Sequence, residues 1–545
     1  MSRVSLYDII KFVHMNMKMK LFAVSALALL LASCAALQKT AGPEPSKEAD
    51  FHYILYVEAQ LAEDWEEALS QLDLALLASP GSAYLKTEKG QVYLKMRRIE
   101  EAVVTVEEVV GQAPDYEPAL SLLAQIYSVQ KKTGKAISIY EKLTRINPDR
   151  TQNYIHLSYL YTLENQFAKA IEALKKLLAA DPYSIMGRYA LGRIYLETKE
   201  YGKAVEELQK TVEDDPYLWD AYNLLGLAYE SLDNVDKAIH NYQESIKLNA
   251  HNIEARKRLA LLFYLRKEDT GEAVEQLRKI LALEPDSLDA HAILAKIYFN
   301  EKKYDEAEKE LRVIVSAVPG NANAILMLGK TLGIRQKYDE AVEQFEKLEQ
   351  LLPDNPEVLI TFGQLYLQKK DYAPAEGKFR EVLAVEPDNA EALFNIAVVY
   401  EKTERPEEMF LFLRKALEKN PEHVQALNYL GYTYAEKGIN LEEALALIRK
   451  AIDLEPGSGY IRDSLGWVYY KMGRYQEALN EITKASEMET GDPVIFEHLG
   501  DIYLRMDNKA AAGEAWRKSL EFHEKDEGSR ERVEKKLNDL ENSGK

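Results

Sequence analysis

The sequence predicts an all-α solenoid built from stacked pairs of helices, and a periodic column of proline is the first observation that indicates it. Proline recurs at intervals of 34 or 35 residues, with Ala250 standing in the place of one member. A period of this length is typical of helix-pair repeats, in which no single pair can bury its apolar face alone. The prolines of the column are Pro80, Pro114, Pro148, Pro182, Pro216, Pro285, Pro319, Pro353, Pro387, Pro421 and Pro456.

Two columns of small residues are the second observation. A small side chain inside a helical pattern lets two helices approach closely, despite a helix-propensity cost for glycine of about 1 kcal/mol. The first column holds Gly90, Gly192, Gly226, Gly329, Gly363, Gly431, Gly466 and Gly500. A tyrosine follows three residues later in most repeats, as at Tyr93 and Tyr503. The second column runs from Ala68 to Ala512, and a large apolar residue such as Trp516 comes four residues after it.

Small, aromatic, small, large apolar and proline residues at these offsets resemble the tetratricopeptide repeat family over roughly residues 49–524. The resemblance implies about fourteen helix pairs in a right-handed superhelical solenoid that binds peptides or proteins. An isolated pair would not fold, because its few buried side chains contribute about 1.5–3 kcal/mol each. Ordering the backbone costs about 1–2 kcal/mol per residue. Stability therefore has to come from stacking.

Interruptions of the period divide the predicted array. Because proline is missing at Ala250, we place a boundary there between an amino-terminal sub-array, 49–250, and a carboxyl-terminal sub-array, 251–524. The next repeat carries one additional residue, which we assign to its inter-helix turn near residues 269–271. A second insertion is assigned to residues 438–441, directly before an aromatic-rich stretch.

Two further departures from the pattern have structural consequences. Met409 takes the place of a small alanine, so we expect the two helices of that repeat to separate slightly. The period then fails, and residues 525–545 are highly charged with one narrow apolar stripe of Val533, Leu537 and Leu540. We predict that this last segment is a capping helix and tail.

Residues 1–33 are predicted to be a lipoprotein signal peptide. Two lysines precede an apolar run at 21–31, which is too short to span about 30 Å of hydrocarbon as a helix. The sequence Leu-Ala-Ser-Cys that ends at Cys34 resembles a bacterial lipobox, and Cys34 is the only cysteine of the chain. The resemblance implies that Cys34 is lipidated and becomes the first mature residue. A flexible tether at 34–48 would then join the lipid to the array.

The alternative interpretation of Cys34 is a free buried cysteine after an ordinary secretory signal. Residues 1–16 fit a signal poorly, and a start at Met15 or Met17 would give a compact charged beginning. Ala35 follows the cysteine, whereas an Asp at that position retains enterobacterial lipoproteins at the inner membrane. The resemblance therefore favours the bacterial outer membrane, with the array facing the periplasm.

Composition and motifs argue against other classes of function. A formal net charge of −20 without a basic run argues against a nucleic-acid partner. The tripeptide Gly-Lys-Thr at 329–331 resembles a phosphate-binding loop but lacks the earlier glycine, since Ala324 stands there. The nine histidines are scattered without metal-ligand spacing. We expect no enzyme activity, cofactor, metal or small-molecule substrate.

The resemblance implies that the first helix of each repeat lines a concave groove. The groove positions lie six and three residues before the small column, and one, four and five residues after it. Large exposed residues there would bind partners, because aromatic residues carry much of the contact energy in interfaces. The residues we predict are Tyr84, Ile155, Tyr159, Leu163, Met186, Tyr189, Leu196, Leu261, Tyr264, Leu265, Phe394, Tyr432, Glu436, Tyr460, Asp463, Trp467 and Tyr470.

Packing against neighbouring repeats is the alternative for any single aromatic in this set. For the cluster around Trp467 we favour binding, because four aromatic residues from two adjacent repeats converge there. The whole pattern predicts a lipid-anchored periplasmic scaffold or adaptor for envelope assembly, export or protease recruitment. A self-assembling structural protein is the main alternative, and the charged terminal helix argues against it. An enzyme with an unrecognised site is the remaining alternative.

Overall fold

A computed structural model describes residues 47–522 and 527–542, and these residues form 29 α-helices and no strand. Contacts group the chain into two compact units, Met1–Ala250 and His251–Lys545. The first unit contains α1 (Lys47–Leu61), α2 (Trp65–Ala78), α3 (Ala83–Lys95), α4 (Ile99–Gln112), α5 (Glu117–Val129), α6 (Thr133–Ile146), α7 (Thr151–Leu163), α8 (Phe167–Ala180), α9 (Ile185–Glu197), α10 (Tyr201–Asp214), α11 (Trp219–Ser231) and α12 (Val235–Leu248).

The second unit holds the remaining helices. They are α13 (Ile253–Arg266), α14 (Thr270–Leu283), α15 (Leu288–Asn300), α16 (Tyr304–Ala317), α17 (Ala322–Ile334), α18 (Tyr338–Leu351), α19 (Pro356–Gln368), α20 (Tyr372–Val385), α21 (Ala390–Lys402), α22 (Pro406–Lys419), α23 (Val424–Lys437), α24 (Leu441–Leu454), α25 (Gly459–Lys471), α26 (Tyr475–Met488), α27 (Pro493–Arg505), α28 (Lys509–Glu521) and α29 (Glu527–Asn542). Odd-numbered helices up to α27 are the first members of fourteen pairs, as the period predicts.

The predicted signal peptide, Cys34 and most of the predicted tether lie outside the described residues. The tether does not extend to residue 48, because Lys47 and Glu48 already belong to α1. No helix in the described ranges is both long and apolar enough to cross a bilayer.

Short polar residues begin many of the first helices. The side chains of Ser184 and Asn321, for example, accept hydrogen bonds from the backbone N–H groups of Gly187 and Ala324. Such caps satisfy donors that have no partner inside the helix. The turn within each pair has three residues, and in all pairs but one the middle residue has positive φ, as at Glu63. This left-handed residue closes the first helix and reverses the chain.

The structure corrects the placement of both insertions. We assigned the first additional residue to a turn near 269–271, but Thr270 and Gly271 begin α14, and the turn keeps three residues. Instead α13 has 14 residues where the neighbouring first helices have 13. The same holds for α23, and the turn that follows it keeps three residues before Leu441. Extending a helix gains a backbone hydrogen bond for each added residue, so the helix absorbs the insertion.

The glycine column permits close contact within each pair. A Cβ atom built on Gly226 would lie 2.7 Å from the Tyr242 ring, and one on Gly466 would lie 2.2 Å from Ile482 Cγ1. The end of the array is covered as predicted. Val533 of α29 is fully buried in a cluster that also contains Trp516. The apolar core of each unit is thus formed by the same repeated columns.

Candidate binding surface

Within each unit, successive first helices contact one another and form one row, as α3 does with α5 and α23 with α25. Side chains at the predicted groove positions interact along this row. Tyr189 donates a hydrogen bond to Asp220, and Asn300 Nδ2 donates to the Tyr264 hydroxyl at 2.6 Å. The groove positions therefore share a continuous face in each unit.

The amino-terminal groove, defined by the groove positions of α5, α7 and α9, leaves large apolar side chains exposed. Tyr159, Leu163 and Met186 are 53%, 55% and 54% exposed. Ile155, Tyr189 and Leu196 are half-buried at the same face, and Tyr84 is exposed on α3. The groove positions of α5 and α7 are Pro118, Ser121, Gln125, Ser128, Val129, Gln152, Ile155, Tyr159, Thr162 and Leu163. None carries a charge, whereas α9 adds one cation and one anion.

Two polar atoms in this groove are buried without a hydrogen-bond partner among the described residues. They are Ser121 Oγ and Arg193 Nε. Buried polar groups in folded proteins are nearly always hydrogen-bonded. Hydrogen-bonding groups thus lie beside exposed apolar side chains, a combination that suits an uncharged peptide segment.

The first helix of the seventh pair, α13, carries three predicted groove residues. Leu265 is exposed, and Leu261 and Tyr264 are half-buried. Tyr264 already accepts a hydrogen bond from Asn300. This helix belongs to the second unit, and its other two groove positions, Glu254 and Lys257, are charged.

The carboxyl-terminal groove, defined by the groove positions of α21, α23, α25 and α27, is organised differently. Trp467 is only 7% exposed, because its ring stacks on Tyr470 at 4.7 Å and on His498 at 3.9 Å between centroids. Its Nε1–H donates to Glu436 Oε2 at 2.6 Å. For Trp467 the structure therefore shows the packing alternative, and the indole is not an open contact surface.

Asp463 is buried as well, and it pairs with His498. His498 Nδ1 lies 2.9 Å from Asp463 Oδ1 and 3.1 Å from Oδ2. Burial alone would lower the pKa of His498, but the charge and hydrogen bond of Asp463, together with Asp501 and Glu497, raise that pKa above its ordinary value. The carboxylates therefore favour the protonated ring, and a protonated His498 forms a buried ion pair with Asp463.

The other predicted residues of this groove differ in accessibility. Tyr460 is exposed. Phe394 is half-buried and contacts the rings of His423 and Tyr429. Tyr432 is half-buried at the wall of a cavity.

The cavity, which we name the Met409 cavity, has a volume of about 630 Å³ and opens between the eleventh and twelfth pairs. Within the second unit, α22 contacts the following first helix less extensively than any other second helix does. Met409 itself is buried at the base. The lining residues are Glu401, Glu404, Arg405, Pro406, Met409, Tyr429, Tyr432, Thr433, Glu436 and Lys437. The gap therefore lies between α22 and α23, whereas α21 and α22, the two helices of the Met409 repeat, remain in extensive contact. The expected separation of those two helices is wrong, because Met409 lines the cavity toward the following pair.

No group of acidic, histidine or cysteine side chains within the described ranges is arranged to hold a metal ion. The charged side chains of the carboxyl-terminal groove are mostly engaged in ion pairs and hydrogen bonds. This face can bind and orient another chain.

Family models agree with the repeat architecture. Models described as tetratricopeptide repeat match residues 59–126, 161–225, 264–330, 219–252, 412–446, 360–408, 117–150 and 461–491. Together these segments cover more than half of the chain. The chain belongs to the tetratricopeptide repeat family.

Individual relatives of this tetratricopeptide repeat chain match it in part. A stretch of 62 residues is 42% identical to the TPR repeat-containing protein PA4667 of Pseudomonas aeruginosa, covering 11% of this chain and 10% of that protein. MamA from Desulfovibrio magneticus RS-1 is 23% identical with a TM-score of 0.30, covering 31% of this chain and 96% of that one. Yeast Tom70 is 15% identical with a TM-score of 0.36, covering 85% and 96%.

Several residues of the tetratricopeptide groove were missed by sequence reasoning. His498 lies two residues before the small column, a position that the groove rule does not include. Tyr429 occupies the equivalent position in α23, and Glu404 lies in a turn. Arg532 and Lys536 reach the groove from α29, where they bind Glu497. No periodic signal marks these residues, because their roles depend on contacts between repeats.

Proposed function

We propose that this chain is a lipid-anchored scaffold of the bacterial envelope, which docks partner proteins on its first-helix face in the periplasm. The observation that carries the proposal is the amino-terminal groove. There, large side chains such as Tyr159 and Met186 stay half-exposed on an ordered, nearly uncharged face. Contiguous exposed apolar residues on a folded surface mark interaction sites. The two unpartnered buried polar atoms in the same groove support this assignment.

The membrane anchor rests on the sequence. An apolar run that ends in Leu-Ala-Ser-Cys places the sole cysteine, Cys34, at a lipobox position. More than one acyl chain is needed for stable anchoring, since each buried methylene contributes about 0.8 kcal/mol. Bacterial lipoprotein processing supplies such chains. The scaffold would thus be held at the outer membrane with its repeats in the periplasm.

Affinity capture from envelope extract tests the docking surface. The full-length chain in detergent is compared with a Tyr159→Ala, Met186→Ala double variant. We expect the variant to lose at least one partner that the wild type retains. The matched control is Tyr183→Ala with Tyr217→Ala, because both tyrosines are about 80% exposed but lie in turns outside the groove. Identical recovery by the wild type and both variants would remove the groove assignment.

The anchor has its own test. Wild-type protein should fractionate with membranes, and globomycin should block its processing. Cys34→Ala should release the chain to the soluble periplasmic fraction. Membrane association that persists in Cys34→Ala would contradict lipidation, while leaving the docking proposal intact.

The alternative of end-to-end assembly is disfavoured by α29. Its buried Val533 covers the last pair, and its outer face is charged. Light scattering on the detergent-purified chain should therefore show one discrete species. A ladder of sizes would favour self-assembly.

A further inference from the structure

Aromatic rings lie beside carboxylates at three successive places in the last four pairs, and the chain's own lysines occupy two of them. At the last pair, Lys536 Nζ lies 2.8 Å from Glu497 Oε1 and 2.7 Å from both carboxylate oxygens of Asp501. The same ammonium is 5.9 Å from the Trp516 ring centroid. A lysine from α29 thus fills this position.

One pair earlier, the same chemistry recurs with another lysine. Lys471 Nζ lies 4.9 Å from the Trp467 ring centroid and donates to the Glu436 carbonyl oxygen at 3.2 Å. Its distance to Glu436 Oε2 is 3.7 Å. An ammonium above an aromatic face and next to a carboxylate gains both cation–π and ionic attraction.

The third position is the Met409 cavity. Tyr429 and Tyr432 supply the rings, and Glu401 and Glu404 supply the carboxylates. Glu436 also lines the cavity, but its carboxylate already accepts a hydrogen bond from Trp467. Its volume of about 630 Å³ lies within the usual range of ligand sites, roughly 300–1,000 Å³.

Three carboxylates and two basic residues line the Met409 cavity, so its lining carries one more negative than positive charge. Arg405 is directed to Glu408 at 2.8 Å and to the Tyr400 ring at 4.1 Å. Lys437 forms no ion pair within the described ranges, and neither does Glu404. Glu401 pairs only with its sequence neighbour, Lys402, at 2.9 Å.

This excess of negative charge contributes to a raised pKa of the two cavity tyrosines, Tyr429 and Tyr432. Burial raises the pKa of Tyr429, and the carboxylate of Glu401 raises it further. Burial also raises the pKa of Tyr432, with added contributions from Glu436, Asp463 and Glu497. Burial disfavours any charge on the two hydroxyls, and the nearby carboxylates disfavour a further negative charge there.

We propose that the Met409 cavity receives an arginine or lysine side chain from a basic segment of the docked protein. This assignment rests on the scaffold function proposed above and specifies the chemistry of the partner. The aliphatic stem would pack on Met409 and the tyrosine rings, while the cationic head would pair with Glu404 and Glu401. A second copy of this chain is a poor occupant, because each copy has a net charge of −20.

Fluorescence anisotropy with a defined probe tests the proposal on the full-length chain in detergent. The probe is a fluorescein-labelled peptide of Ala-Arg-Leu repeated four times. Its partner peptide replaces every arginine by citrulline, which has nearly the same shape without the charge. We expect the arginine peptide to bind at least tenfold more tightly, and its affinity to fall as salt rises. Equal affinity of the two peptides would overturn the proposal.

A pair of charge-matched variants locates the binding site. Glu401→Gln with Glu404→Gln should weaken binding of the arginine peptide by about tenfold. Glu407→Gln with Glu418→Gln removes the same charge from exposed positions of α22 outside the cavity, and should change affinity less than twofold. Equal weakening by both variants would show diffuse attraction and overturn the site. Preferential binding of free spermidine over the peptide would overturn the choice of a protein partner.

Envelope capture separates this inference from the scaffold proposal. If the wild type captures no partner, the scaffold function fails. If the Glu401→Gln, Glu404→Gln variant captures the same partners as the wild type at the same yield, only the basic-segment assignment fails.

Discussion

The amino-terminal and carboxyl-terminal grooves are built on the same repeat but use their groove positions in opposite ways. In the first, Tyr159 and Met186 remain half-exposed, and almost no charge is present. In the second, Trp467, Asp463 and His498 are buried against one another. The comparison shows that equivalent positions of one scaffold can be either exposed or packed against neighbouring repeats. Only an exposed groove side chain can contact a partner without disrupting the packing between repeats.

The fold itself does not depend on this difference. The columns that hold each pair together, such as Gly226 against Tyr242, lie away from the groove positions. Groove residues can therefore vary in charge and size from one repeat to the next.

The largest effect should come from breaking the buried pair of the carboxyl-terminal groove. Asp463→Asn leaves the charged His498 without its partner, so we expect a loss of about 3 kcal/mol in the free energy of unfolding. Urea unfolding at pH 6, followed by the fluorescence of Trp467 and Trp516, measures it. Ser121→Ala in the amino-terminal groove is the matched control and should cost under about 0.5 kcal/mol. Similar losses of unfolding free energy in both variants would contradict the difference described between the two grooves.

The next effect concerns the small column behind the carboxyl-terminal groove. Gly466→Ala would place a Cβ 2.2 Å from Ile482 Cγ1 and 3.2 Å from the Ala478 carbonyl oxygen, so helices must move apart. We expect a loss of about 1–3 kcal/mol in the free energy of unfolding. Gly377→Ala is the control, since nothing lies within 4 Å of that position. It should stabilise the chain by about 0.5–1 kcal/mol, through better helix propensity. A neutral Gly466→Ala would show that the pairs are less tightly packed than described.

Proton uptake by His498 should make the carboxyl-terminal groove sensitive to pH. The pKa of this group is raised in the folded chain, despite burial, by Asp463, Asp501 and Glu497. Its contribution to stability is therefore complete below the ordinary pKa of about 6.5 and is lost as pH rises through the raised value. The difference in unfolding free energy between wild type and His498→Gln should shrink between pH 6 and pH 9. A difference that stays constant or grows would contradict a charged ring.

The smallest effect on stability should be in the amino-terminal groove. Tyr159→Ala and Met186→Ala should each cost about 0.5 kcal/mol or less, because about half of each side chain is already in water. The same double variant should lose partner capture. Urea unfolding followed by Trp65 and Trp219 fluorescence, beside the capture assay, checks both. A large loss of stability would mean that these residues belong to the core.

The fold was predictable because the same columns of small, aromatic, large apolar and proline residues recur in successive repeats. Fourteen pairs and the terminal helix at Val533 follow from spacing alone. The location of single insertions did not follow, since either the turn or α13 could absorb one residue. Backbone hydrogen bonding favours the longer helix. No periodic residue in the sequence, however, indicates whether the turn or the helix contains the additional residue.

The face formed by the groove positions was predictable, but the exposure of its side chains was not. The groove rule selected Trp467, Tyr470 and Asp463 correctly as members of one cluster. Their burial depends on His498 and Glu436, which belong to the pairs on either side. A rule applied within one repeat cannot detect contacts of this kind. For Tyr159 and Leu163 the neighbouring pairs supply no such partner, and exposure results.

Met409 has a consequence for the register in which a segment would bind along the repeats. Identical repeats offer a ligand many equivalent registers, so an extended chain could shift by one repeat without losing contacts. The Met409 cavity marks one location in the second unit that the neighbouring repeats do not share. If a basic segment binds there as proposed, the cavity would fix one register of that segment along the repeats.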